Sequence, residues 1–215
     1  MKKLLLATAA ISASFMATSA SAAIIVYTDQ ASFDAAAGVT TTETFDSFTT
    51  AAQFNAAPVD AGPFTVSLSG NSNNPAQNLI GPAPTNGSFD VNGTPNLSGR
   101  ISNGGSIFLT FDSSISSFSG IFNEINNGNP NKTLLFAGGE QVAPVDGFFG
   151  IVSDVAFTTI EFQTIAGADD GFALDNVQFG AVPEPATWAF MIFGFGAIGG
   201  AMRRQRKANV KVSYA

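Results

Sequence analysis

The side chains that could do chemistry in this sequence are carboxylates and little else. The chain has no cysteine and no histidine, which removes the thiol nucleophile, the Ser-His pair, the usual general base and the commonest zinc ligand. Hard oxygen remains. Asp175 lies in the run Ala168-Asp169-Asp170-Gly171-Phe172-Ala173-Leu174-Asp175-Asn176-Val177-Gln178-Phe179, while Glu43 and Asp46 lie in an N-terminal segment that a β-fold can bring beside it. Such oxygens suit a structural calcium ion, and an acidic domain without disulfides has use for one. A local reading competes: Asp175 and Asn176 satisfy backbone groups where a strand is irregular. Phe172, Leu174, Val177 and Phe179 cannot share one face by simple alternation, so a bulge or kink is expected near Asp175-Asn176. Asp169-Asp170-Gly171 reads as a turn. A carboxylate-dependent secreted hydrolase needs a suitably spaced acidic pair. None stands out, and the chain is read as non-enzymatic.

The elements that must position these acids are short strands. Ile24 to Tyr27 is apolar and β-branched, and the segment after it offers Thr28 or Asp29 as a cap, Phe33 as an apolar anchor and Gly38 as a stop, so one short N-terminal helix is expected. Thr42, Thr44, Phe45 and Phe48 suit a strand running into a turn. Phe64 to Leu68, Ile107 to Phe111 and Phe118 to Ile125 alternate apolar and polar residues, and later runs cover Gly147 to Val152, Val155 to Gln163 and Gly171 to Phe179. Residues 70–100 are dense in Asn, Gly, Pro and Ser and read as loops with brief strands. Asn126 to Lys132 reads as a hairpin-like connection. No amphipathic segment of helical length follows position 38. The expectation is an all-β, antiparallel β-sandwich of jelly-roll-like order, with alternating phenylalanines as its core.

Signals bracket this domain. Lys2 and Lys3, an apolar run from Leu4 and the small-x-small pattern Ala20-Ser21-Ala22 read as a signal peptide over 1–22, cut before Ala23. Residues 23–182 form the exported domain, which holds two of the nine basic residues, Arg100 and Lys132, against fifteen acids. A formal charge of −13 repels nucleic acid and anionic surfaces and keeps an exported protein dispersed.

The other bracket is 183–207, PEPATWAFMIFGFGAIGGAMRRQRK. Pro183 and Pro185 oppose helix upstream. Residues 186–202 carry no charge and, at about 1.5 Å per residue, reach roughly 25 Å, enough for a short transmembrane helix in a core of about 30 Å. Trp188 sits near its outer end. The basic cluster 203–207 sets the C-terminal side in the cytoplasm, together with the extension 208–215.

Pro183-Glu184-Pro185, Trp188, the glycine-rich core and Arg203, Arg204 and Arg206 together resemble the PEP-CTERM sorting tail of exported proteins in Gram-negative bacteria that make exopolysaccharide. That resemblance implies a membrane-anchored precursor, processing by an exosortase near Pro-Glu-Pro, release into the cell envelope or extracellular matrix, and association with exopolysaccharide or biofilm. Residues 168–179 resemble the closing strand of such domains and, more loosely, the last Asp-bearing strand of jelly-roll carbohydrate-binding domains, where an aspartate helps hold calcium. The resulting alternative is a calcium-stabilised carbohydrate-binding module, although the domain has no Trp and only Tyr27 for stacking on sugars.

Overall fold

The computed structural model describes residues 23–82, 89–180 and 185–206, and within the final helix the side chains of 192–200, 202 and 203. The leader with Ala20 and Ala22, the motif residues Pro183 and Glu184, the side chains of Trp188, Arg204 and Arg206, and the extension 208–215 lie outside the described residues.

In chain order the elements are β1 (Ile24–Tyr27), α1 (Gln30–Ala37), β2 (Thr41–Glu43), β3 (Ala52–Gln53), β4 (Val59–Asp60), β5 (Phe64–Ser69), β6 (Leu79–Gly81), β7 (Asn96–Ser102), β8 (Ser106–Asn123), β9 (Thr133–Ala137), β10 (Glu140–Val142), β11 (Gly147–Thr164), β12 (Asp169–Gly180) and α2 (Pro185–Arg206). The all-β expectation is met. The short helix forms where its caps predict: the Asp29 carboxylate accepts from Ser32 N–H, and Gly38, at φ 72°, ends it. Its Phe33 ring packs edge-on against Tyr27 and Phe148 at 6.1 and 5.7 Å. Gly150 makes room for that ring, since a Cβ there would stand 2.7 Å from Phe33 Cδ2.

Twelve antiparallel strands hydrogen-bond into one sheet, with the main path β10-β9-β11-β8-β12-β7-β6-β3. The sheet becomes two layers because its two longest strands bend. Residues 106–111 of β8 lie between β5 and the C-terminal part of β11, whereas residues 117–123 lie between the N-terminal part of β11 and β12. Asp112, Ser113 and Ser114 are exposed at the bend of β8, and Asp154, Val155 and Ala156 at that of β11, where the register slips between Val152 and Thr159. Sequence reading splits each of these strands in two at its polar stretch. No glycine or proline occupies either stretch, so the chain bends through bulges instead of turning back. Because β8 and β11 run through both layers, the fold is sandwich-like without the two separate sheets of a jelly roll.

Phenylalanines fill the space between the layers. Phe162 of β11 meets Phe118, Phe122 and Phe172 at centroid distances of 6.2, 5.7 and 5.3 Å. Phe64 and Phe111 meet Phe179 at 6.1 and 5.1 Å. The segment 70–100, expected as loops with brief strands, supplies β6 and the first five residues of β7, whose Leu97 and Ile101 are fully buried. Asp169-Asp170-Gly171, expected as a turn, opens β12 and pairs with Ser102, Ile101 and Arg100 of β7.

α2 begins at Pro185, a residue suited to the first helical position because its missing N–H has no intrahelical partner there. Its described large apolar side chains, Ile192, Phe193, Phe195, Ile198 and Met202, are all exposed. Among the described residues no helix is long and apolar enough to cross a membrane, and the expected span 186–202 falls partly on side chains outside them.

Phe162→Ala removes a fully buried ring that touches both layers and should cost about 3–5 kcal/mol of stability. Phe162→Leu should cost distinctly less; urea unfolding of both variants checks the order.

Candidate functional site

Two buried aspartates on β12 organise the polar interior, and they do different work. Asp175 is almost fully buried at the bulge of β12, where the pairing with β8 slips between Asp175 and Gln178 and Asn176 takes φ 51°. This is the expected irregularity. Its carboxylate accepts from Asn176 N–H at 2.6 Å, from Thr94 Oγ1 at 3.0 Å and from Asn176 Nδ2 at 3.4 Å. Burial holds the Asp175 carboxyl above its usual range, the bonds from Asn176 and Thr94 oppose that rise, and the charges of Asp46 and Glu43 add to it.

Glu43, Asp46 and Asp175 therefore share one neighbourhood, as Val177 pairs with Glu43 across β12 and β2. Each has local work already. Glu43 accepts from Phe45 N–H at 2.7 Å, at a residue in the left-handed region, and Asp46 accepts from Thr44 Oγ1 at 2.9 Å. Among the described residues no three His, Cys, Asp or Glu side chains group so as to hold a metal ion. The local reading of Asp175 thus has its hydrogen-bond donors in place.

Asp170, read from the sequence as part of a turn and only a secondary candidate for an ion ligand, pairs directly with a cation, as Asp175 does not. One carboxylate oxygen lies 3.1 Å from Lys132 Nζ; the other accepts from Thr133 Oγ1 at 2.7 Å and from Asn126 N–H at 3.0 Å. Asn126, at φ 57°, extends the network: its amide donates to the carbonyls of Thr133 and Pro144 and accepts from Thr133 N–H. Next door, Arg100 makes a two-bond pair with Asp169, whose carboxyl is held below its usual range first by that hydrogen bonding. Both cations of the domain are thereby bound to adjacent aspartates.

Asn126 of this network lines a cleft of about 360 Å³ between residues 125–131 and 143–146. Asp146 lines it, and burial, followed by the charge of Glu124, raises its carboxyl above the usual range. Sequence reading treats Asn126 to Lys132 as a connection. The density of asparagines was the available signal, but only the fold supplies the facing segment.

The family model described as the PEP-CTERM protein-sorting motif matches residues 181–207. Pro183, Glu184, Pro185, Trp188, Arg203, Arg204 and Arg206 all lie within it, so the chain carries a sorting motif at the expected place. No curated protein and no solved structure matches the chain.

The direction of the Asp175 shift has a testable sign. A carboxyl raised on folding weakens the fold while ionised, and the penalty fades as pH falls through the raised value. Asp175→Asn keeps an acceptor for the bulge and removes the charge, so it should melt higher than wild type at about pH 7, by a margin that shrinks toward about pH 4. Asp175→Ala leaves the bulge donors unpartnered and should cost about 1–3 kcal/mol at both.

Proposed function

We propose that this chain is a non-enzymatic protein exported across the inner membrane, held as a membrane-anchored precursor by residues 186–202, and sorted through its PEP-CTERM tail by an exosortase into the cell envelope or extracellular matrix. The sorting motif at 181–207 carries this reading. The sign and placement of charge support it: fifteen acids and two cations lie within 23–182, while five of the nine basic residues follow position 202. An acidic domain ahead of a basic tail end agrees with an outward domain and a cytoplasmic terminus. Association with exopolysaccharide or biofilm is the role we infer for the released domain.

The proposed leader cut fits the place of the first strand. Ala23 N–H donates to Asp154 Oδ1 at 2.7 Å, and β1 starts at the next residue, paired along β11. Cleavage before Ala23 would leave β1 and its pairing complete.

Mass spectrometry of the protein recovered from its host tests the sorting reading. Release of the domain should leave a chain ending near Pro183 to Pro185. A mature chain still ending at Ala215 would leave a permanent anchor and overturn processing.

We further propose that Asp175 holds the bulge and carries no ion, which replaces the calcium-stabilised module as the reading of that residue. Thermal melts with millimolar calcium and with excess chelator should then superimpose. A melting point raised by calcium and lowered by chelator would return Asp175, Glu43 and Asp46 to the role of ion ligands.

A further inference from the structure

The cleft beside Asn126 has a composition that points to a ligand. Its rim carries the amide side chains of Asn129 and Asn131, both exposed and without hydrogen bonds among the described residues. Its apolar surface comes from Pro130, Pro144 and Val145, the last 43 % exposed. Apolar faces beside paired amide donors and acceptors match a sugar ring, which presents C–H faces and rows of hydroxyls that both donate and accept. The volume of about 360 Å³ lies at the small end of the ~300–1,000 Å³ typical of small-ligand sites.

The cleft is also fixed in advance. Asn126 ties residues 126, 133 and 144 together through its side chain, and Asp170 holds Asn126, Thr133 and Lys132 from below. Glu124, Asn126 and Asn131 occupy the left-handed region at φ 70°, 57° and 71°. Non-glycine residues in that region persist where the surroundings impose them, and such positions gather at binding sites. A preformed cleft loses less ordering entropy on binding than a mobile loop.

Charge selects among sugars. Asp146 lines the cleft and Glu124 stands close enough to act on its charge. The adjacent cation, Lys132, is engaged by Asp170. A uronate or sulfated sugar would meet carboxylates with no unpaired cation beside them.

We propose that the cleft between residues 125–131 and 143–146 is a binding site for an uncharged sugar ring within a polysaccharide. This rests on the reading of the chain as an exported matrix protein and gives that protein its point of attachment.

Affinity electrophoresis of the full-length chain in detergent, through gels containing a neutral galactomannan, a neutral glucan or polygalacturonate, tests the site. Retention by at least one neutral polymer, with none by polygalacturonate, is expected. Asn129→Ala and Asn131→Gly, the latter chosen to tolerate the left-handed backbone, should each weaken that retention at least tenfold while leaving the melting temperature unchanged. Asp112→Asn, at the distant bend of β8, should retain like wild type. Retention unaffected by the two cleft variants, retention by polygalacturonate in preference to the neutral polymers, or no retention by any polymer would overturn the site. The C-terminal mass of the host-derived protein is independent of all these outcomes, so a failed cleft and a failed sorting assignment are told apart.

Discussion

The fold depends on two strands that each belong to both layers. β8 and β11 pair with one another along most of their length and bend at neighbouring exposed stretches, so one layer cannot slide over the other without breaking their shared ladder. With no cysteine available, the seam is closed by rings. Phe162 reaches from one layer to three phenylalanines of the other, each in a tilted or edge-on contact, a geometry in which aromatic pairs add about 0.5–1.5 kcal/mol beyond the area they bury. Hydrophobic burial alone is non-directional. The ladder supplies direction and the rings supply adhesion.

β12 is held to this frame by β7 and β8 together, and that determines what its two buried aspartates can do. Leu174 pairs with Leu97 on one side and Phe122 on the other, so the strand is pinned in its middle. Asp170, before the pin, faces a cation and two donors and is compensated in place. Asp175, after it, meets neutral donors only, while the nearby charges are Glu43 and Asp46. Burying a carboxylate costs little when it is paired and much when it is not. Burial therefore raises the carboxyl of Asp175 first, with the charges of Asp46 and Glu43 adding to it and the bonds from Asn176 and Thr94 opposing it.

Much of this was legible in the sequence, and the boundary has physical causes. Local signals carried through: the Asp29 and Gly38 caps of α1, the alternation of β5 and the irregularity at Asp175-Asn176 are all governed by a few adjacent residues. The joining of Ile107 to Phe111 and Phe118 to Ile125 into one strand was not legible, because a polar, exposed stretch such as Asp112 to Ser114 looks alike whether the chain turns back or only bends. β7 was hidden for a related reason. Its serines and glycine resemble loop composition, yet Gly99 lies where a Cβ would come within 2.5 Å of Ile107 Cδ1, so smallness there serves close packing. The tail was the most legible part, since its order of Pro-Glu-Pro, apolar run and arginines needs no tertiary partner. The cleft was the least legible, because its walls, 125–131 and 143–146, are separate stretches of the chain that are joined by the Asn126 amide on the Pro144 carbonyl and by the backbone of Glu124 and Ile125 on the Asp146 carboxyl.

A net charge of −13 on residues 23–182, read as composition, suggests diffuse repulsion, but the placement of the two cations makes a narrower statement. Arg100 and Lys132 come from different elements and converge on Asp169 and Asp170, consecutive residues at the start of one strand. Two adjacent carboxylates entering a sheet would repel each other and oppose pairing of β12 with β7. Neutralising both permits the strand to begin there. The cost is that the described part of this domain has no cation left for anything outside itself. The acids that remain make the domain repel anionic polymers at a distance. The charge that closes the fold and the net charge of the domain are thus one constraint, set by how few basic residues lie between Ala23 and the tail.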